Sequence, residues 1–231
     1  MKLDALQYWR DTRGLGPARQ MALDQALFEH SASTGSATAR FYGWAEAALT
    51  VGYFHRFASG DRGALRDRPV RRFTGGGLVE HGEDLTFAVN FPAGSGPAII
   101  KSEDRYQWVH RHLVGALKAT GFETVLKKTA VPQESGPCFA NPVAWDILDA
   151  TNGAKIGGGA QRRSGGAVIH QGSVRLPREL RDPEAEWTAG FLGRLSRRVD
   201  ALGESEKEKI EESAVRLDRE RYSSPDWNRW P

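Results

Sequence analysis

One cysteine, Cys138, and two methionines are all the sulfur in this 231-residue sequence. A single thiol forms no internal disulfide, which excludes a disulfide-stapled scaffold and fits a reducing compartment. No stretch approaches the ~18 consecutive apolar residues that span a bilayer. The N-terminal MKLDALQYWRDTRG lacks the apolar core of a secretory signal. These absences predict a cytoplasmic protein with no membrane partner. There is no run of Lys and Arg with interleaved aromatics, so no nucleic-acid partner is expected. Repeats and low-complexity linkers are also missing, and residues 1–231 are expected to form one domain. The net charge of +3 is compatible with an acidic protein partner or an anionic ligand. With 39% hydrophobic and 26% charged residues, the chain falls among soluble globular proteins rather than disordered ones.

What is present reads as alternating short elements. Residues 17–30 predict a helix, with Pro17 in its first turn and Ala18, Met21, Ala22 and Ala26 at helical spacing. Strands are predicted over Thr38–Gly43, Ala47–Phe54 and Val70–Thr74. In 84–91 Leu85, Phe87, Val89 and Phe91 alternate with Asp84, Thr86, Ala88 and Asn90, which predicts a half-buried antiparallel strand. Tyr106, Val109, Leu113, Ala116 and Leu117 form one stripe of a helix over 103–120, closed by Gly121. An edge strand follows at Glu123–Lys128, then a proline-rich loop over 129–142. Strand-like pieces at 144–149, 154–157 and 167–176 are interrupted by a predicted turn at Gly157–Gly166. Residues 184–221 read as helical, with Ser205 and Glu208 as a capping box, and the tail SSPDWNRWP as coil. No regular βαβ alternation occurs. The expected fold class is α+β, a mixed or antiparallel sheet flanked by helices.

Two glycine clusters carry the chemistry. The first is Arg71-Arg72-Phe73-Thr74-Gly75-Gly76-Gly77-Leu78-Val79-Glu80-His81. Its glycines allow close approach of a ligand, and bare N–H groups in such a loop can bind an anion. The two arginines could add charge-assisted bonds to a carboxylate or phosphate. The plain alternative is a strand-to-strand turn with solvated arginines. It is not a Walker A loop, since no Gly-Lys-Ser/Thr follows. His81 is either a general base or structural.

The second cluster runs Lys155-Ile156-Gly157-Gly158-Gly159-Ala160-Gln161-Arg162-Arg163, followed by His170-Gln171-Gly172-Ser173. A lysine at a glycine turn can polarise a carbonyl. Cys138 sits in Gly136-Pro137-Cys138-Phe139-Ala140-Asn141-Pro142, 17 residues before Lys155. A lone cysteine is usually an inert small hydrophobe. A nearby cation would instead populate its thiolate, the form needed for thioester exchange.

Together the clusters resemble the two signatures of lipoate-protein ligases and lipoate-pathway octanoyltransferases, RRxTGG-x-x-VxH and KxxGxAQRR followed by a histidine and GS or GT. Pro17-Ala18-x-x-Met21-Ala22-Leu23-Asp24-x-Ala26-Leu27 is similar to their N-terminal helix, and Tyr222 with Trp227 to their closing motif. The resemblance covers roughly residues 15–230. It implies the biotin/lipoate ligase catalytic-domain fold, with an elongated acyl pocket. It implies Lys155 as the lysine that meets the acyl carbonyl or adenylate phosphate. Substrate-binding positions would be Arg72, Thr74, Gly75, Gly76, Gly77, His81, Gly158, Ala160, His170 and Gly172. The implied product is an amide between an acyl chain and a lipoyl-domain lysine. Implied partners are acidic lipoyl-domain proteins (glycine cleavage H protein or dehydrogenase E2 subunits) and octanoyl acyl carrier protein.

Two chemistries share these signatures. A ligase uses lipoate with ATP and Mg²⁺ to form lipoyl-AMP, whereas a transferase moves octanoyl from a carrier thioester through a cysteine and needs no cofactor and no metal. Gly52-Tyr53-Phe54-His55 resembles the GYFQ of cysteine octanoyltransferases, and the GRNQN of the ligases is absent. Cys138-Phe139-x-x-Pro142, followed by Asp146 and Lys155, resembles the segment carrying the transferase nucleophile. No accessory domain of the kind the larger ligases carry is expected. Gly75-Gly76-Gly77 is nevertheless the ligase-like form of the first loop. The expected function is acyl transfer through Cys138, with Lys155 as second catalytic residue. The alternatives are an ATP-dependent lipoate-protein ligase and a non-catalytic acyl- or carrier-binding module.

Overall fold

A computed structural model describes residues 1–57, 68–128 and 143–229. Cys138 and the whole of its proline-rich segment, 129–142, lie outside the described residues. The chain opens with strand β1 (Leu3–Leu15), helix α1 (Pro17–Thr34) and strands β2 (Thr38–Trp44) and β3 (Ala48–Val51). The short β4 (Val70–Arg71) and β5 (Val79–His81) flank the first glycine cluster, and β6 (Asp84–Phe91) follows. Then come a helical turn α2 (Gly96–Ile99), helix α3 (Ser102–Lys118), and β7 (Thr124–Leu126), β8 (Ile147–Asp149), β9 (Lys155–Ser164) and β10 (Ala167–Arg175). The chain ends with α4 (Glu186–Leu195), β11 (Ser196–Ala201), α5 (Glu204–Leu217), a π-turn over Asp218–Tyr222 and the short α6 (Pro225–Asn228).

Eight strands form one sheet in the order β11-β1-β2-β6-β10-β9-β8-β7. Within this sheet the parallel pairs are β1 with β11 and β1 with β2. The remaining pairs are antiparallel. A second sheet, β4-β3-β5, carries the first glycine cluster between β4 and β5. The architecture is therefore α+β with a mixed sheet, as the element pattern implied.

Each face of the large sheet has its own core. On one face Phe41, Phe87, Val89 and Phe91 pack with Val109, Leu113 and Leu117 of α3 and Trp187 and Phe191 of α4. On the other, Tyr42, Ala88 and Ile169 pack under Met21, Leu23 and Leu27 of α1, with Ile210 and Leu217 of α5 behind. Pro17 in the first turn and Gly35 at φ 71° bound α1 as the residue types require.

Several expectations change. The tail, expected as coil, carries the short helix α6. Strand β6 is not half-buried: all eight of its residues are buried, because helices cover both faces. Gly157–Gly159 are not a turn but part of β9, paired with Gly172–Val174; the turn is confined to Gly165-Gly166. The C-terminal portion is not continuously helical. Ser196–Ala201 forms an edge strand whose charged, exposed side chains hide it from an alternation search, as edge strands commonly do. Finally, Glu206 rather than Glu208 closes the start of α5, accepting the Gly203 N–H at 3.1 Å.

Gly172 is where the sheet tolerates no side chain. A Cβ there would lie 2.2 Å from Cζ of Phe87. Gly172→Ala is expected to destabilise the fold by about 1–3 kcal/mol. Phe87→Leu should cost less in the Gly172→Ala background than alone, a non-additivity measurable by urea unfolding.

Candidate active site

The glycine loop is built by arginines that turn inward. Arg71 Nη1 donates to the carbonyls of Gly52, Tyr53 and His55 at 2.8–3.0 Å. Arg72 Nη1 donates to Thr50 Oγ1 at 2.8 Å, and Nη2 donates to the carbonyls of Gly75 and Gly77 at 3.0 and 2.9 Å. Both guanidinium groups thus shape main chain, in addition to any part in the anion-binding role that the sequence suggested. Gly76 is the member of the triplet that faces the cleft, at φ 90°. Gly52 packs against it so closely that a Cβ would sit 1.9 Å from the Gly76 carbonyl oxygen.

Between this loop and the large sheet runs a cleft with about 500 Å³ of empty space, mouth included. Its walls are mostly apolar. Met21 of α1, Tyr42 of β2 and Thr86 of β6 face Gly76, Arg72 and Val79 of the loop. Lys155, Gly158–Ala160 and Gln171–Ser173 complete it, with His81. Of the expected site residues, Arg72, Gly76, His81, Lys155, Gly158, Ala160 and Gly172 line the cleft. Thr74, Gly75, Gly77 and His170 do not. Sequence reasoning missed Met21, Tyr42 and Thr86 as lining residues. Thr86 had a signal: it lies on the polar side of the β6 alternation, which a solvated strand would have turned to water.

Lys155 is held rather than loose. Its side chain is 3% exposed, and Nζ lies 2.8 Å from Oδ2 of Asp146, which is itself fully buried. Asp146 also accepts the Val143 N–H at 2.7 Å and the Tyr106 hydroxyl at 2.5 Å. The Gly159 N–H donates to Tyr106 Oη at 2.9 Å, so this amide is already committed, contrary to the idea of a free donor there.

The two histidines differ. His81 is buried, stacked on Trp44 at 4.0 Å, with Nδ1 2.7 Å from Asp84 and Nε2 2.8 Å from Thr50 Oγ1. Burial pushes the Asp84 carboxyl up, but hydrogen bonds from His81, Ser173 and Gly82 outweigh it and leave the pKa lowered. Asp84 therefore accepts the Nδ1 proton, and the ring is fixed at both nitrogens. His170 lies on the opposite side of the sheet, fully buried beside Tyr106, His110 and Phe87. Burial, then His110 and Arg105, hold His170 well below the usual imidazole range. Burial likewise drives His110 down to about 4. His170 is thus a neutral core histidine, and a Cβ on Gly159 would come within 2.5 Å of its Nε2.

Thr74 is tied into a buried network. Its hydroxyl donates to Gln171 Oε1 at 2.5 Å, and Gln171 Nε2 donates to Asp24 Oδ2 at 2.7 Å. The chemistry available is an ammonium ion at the wall of an apolar cleft roofed by a main-chain loop. No helix among the described residues is long and apolar enough to cross a membrane. Because Gly52 has no room to grow, Gly52→Ala must displace the loop. It is expected to cost about 1–3 kcal/mol in thermal or urea unfolding.

Comparison with known proteins places this geometry. The chain is 31% identical over 188 residues to the octanoyltransferase LipM of Geobacillus kaustophilus, covering 74% of this chain and 66% of that protein. It is 34% identical over 178 residues to octanoyltransferase LipM of Bacillus cereus, covering 71% and 63%. The matches thus span a little under two thirds of these relatives' length. Among solved structures, lipoate-protein ligase A bound with ATP superposes with a TM-score of 0.68 at 20% identity, covering 99% of both chains. The bi-partite lipoate protein ligase of Thermoplasma acidophilum gives 0.67 at 18% identity, covering 99% and 96%. These likenesses share the fold. Residues 16–215 match the lipoyl protein ligase A/B catalytic domain, and the chain belongs to that family.

Proposed function

We propose that this protein is an acyltransferase that moves an octanoyl or lipoyl group from a carrier thioester to the acceptor lysine of a lipoyl domain. The observation that carries the reading is the Lys155 ammonium, fixed by Asp146 at the wall of an apolar cleft. A medium acyl chain would lie between Met21, Tyr42 and the glycine loop. Its carbonyl would meet Lys155. Sequence relatives named octanoyltransferase support the reaction class.

The steps follow from the residues. The Cys138 thiolate attacks the thioester carbonyl and expels the carrier thiolate, leaving an acyl-Cys138 thioester. The acceptor amine attacks that thioester, Cys138 leaves as thiolate, and the amine loses a proton to form the amide. In each step negative charge develops on the carbonyl oxygen, and a fixed ammonium stabilises it more than mobile water would. His81 is bonded at both ring nitrogens, so it serves the loop rather than the proton transfer. Octanoyl acyl carrier protein fits as donor. Acidic lipoyl domains, such as glycine cleavage H protein or dehydrogenase E2 subunits, fit as acceptors of a chain of net charge +3. This route consumes no nucleotide or metal. The alternative ligase reaction would require lipoate with ATP and Mg²⁺, and a purely binding role would require neither chemistry.

Intact mass spectrometry separates these readings. Wild type incubated with octanoyl carrier protein is expected to gain one octanoyl group, and Cys138→Ala none. Lys155→Ala should slow transfer to a lipoyl domain by about 10²–10³-fold. Adduct-free wild type that still modifies a lipoyl domain with lipoate and ATP, regardless of Cys138, would establish the ligase instead.

A further inference from the structure

Helix α3 grips the corner of chain that presents Asp146. Three residues on one face of the helix, Glu103, Tyr106 and His110, reach the same dipeptide. Trp145 Nε1 donates to Glu103 Oε1 at 3.2 Å. His110 Nδ1 lies 2.7 Å from the Trp145 carbonyl, which only accepts, so Nδ1 carries the proton. Tyr106 donates to Asp146 Oδ1 at 2.5 Å. Behind it, the Gly159 N–H donates to Tyr106 Oη, which ties the same hydroxyl to strand β9. The corner is strained: Trp145 has φ 69°, a left-handed conformation that a bulky side chain rarely adopts. Such outliers persist where surrounding contacts over-determine them, and they concentrate at functional sites.

We propose that Tyr106 and His110 are positioning residues for the lysine site. They hold the strained Trp145-Asp146 corner so that the Asp146 carboxylate fixes the direction of the Lys155 ammonium. Tyr106 matters most, because its hydroxyl joins the three parts that meet there: the helix, the Asp146 corner and β9. His110 sets the height of the corner through the Trp145 carbonyl. The proposal rests on Lys155 being the lysine that meets the acyl group. It is independent of whether the donor is a thioester or an adenylate, because either route places a carbonyl or phosphate oxygen against the same ammonium.

The test is a double-mutant cycle on the full chain, with activity read in both the octanoyl-thioester and the lipoate-plus-ATP assays. Tyr106→Phe keeps the ring and removes only the hydroxyl. It is expected to lower kcat about tenfold while KM for the acyl donor changes less than about twofold, as misorientation of a reacting group does. In a Lys155→Ala background the same change should have no further effect. If Lys155→Ala is too slow to measure, Asp146→Asn replaces it in the cycle. An equal fractional loss in both backgrounds overturns the proposal. His110→Asn retains an N–H donor near the Nδ1 position and is expected to recover most of the activity lost in His110→Leu; equal loss in both would count against a positioning role.

A readout without turnover keeps the two readings apart. Amine-selective labelling, followed by peptide mass, measures how well Lys155 is held. Tyr106→Phe should raise the labelling rate of Lys155 several-fold relative to exposed lysines, with an unchanged melting temperature. Unchanged labelling overturns the positioning role. Increased labelling in a protein inactive in both assays would retain the positioning role and reject the functional reading.

Discussion

A buried arginine between two carboxylates holds the parts of this molecule in register. Arg40 of β2 is fully buried, with Nη2 2.8 Å from Asp11 and Nη1 2.9 Å from Asp24. It also donates to the Gln20 side chain. Asp24 accepts the Tyr42 hydroxyl and the Gln171 amide, and Gln171 in turn accepts Thr74. One connected network therefore links β1, β2 and β10 of the large sheet, helix α1, and the glycine loop. Removing one partner would leave an uncompensated charge in a dry interior, a far larger cost than any gain from the pair itself. The cleft exists because the loop and the sheet are tied at this depth while the space between them is left to apolar atoms.

The same economy of charge recurs on a smaller scale at the site. Arg71 and Arg72 spend their donors on carbonyl groups that a tight loop cannot pair internally. Missing side chains then create proximity. Gly52 lets the loop at Gly76 descend onto β3's exit, and Gly172 lets the Phe87 ring fill the far side of the sheet. Lys155 and Asp146 face one another with almost no solvent, so their orientation is set by packing and not by mobile water. Such preorganisation suits stabilisation of a charge that appears only during reaction.

Much of this was legible in the residues, and the failures have physical causes. The helix stripe in α3 was visible because burial imposes a period on the sequence, and the alternation in β6 because its two buried faces differ, apolar toward α3 and α4 and more polar toward the cleft. β1 and β11 were not: parallel pairing at the sheet's end leaves a strand such as Ser196–Ala201 with mostly exposed, charged side chains. Gly157–Gly159 resembled a turn because glycine is common in turns, yet here the missing side chains let β9 lie against Ile147, Asp146 and His170 in turn. His170 stood beside the site in sequence but points to the other face, since side chains alternate along β10. Thr86 and Tyr42 belong to the cleft although nothing near them in sequence carries a motif.

The sequence by itself determined the family and the α+β class, and it singled out Lys155 as the candidate cation, because two ordered signatures and a hydrophobic rhythm are local properties. Only the tertiary structure decided where the motif residues sit. It set both arginines against loop carbonyls, with Arg72 also at the cleft wall, and sent His170 into the core. It also brought Tyr106 and Asp146, from separate elements, to within hydrogen-bonding reach of one another beside Lys155. These assignments depend on which face of a strand or helix meets which neighbour. No residue carries that information until the sheet has formed and its two cores have closed.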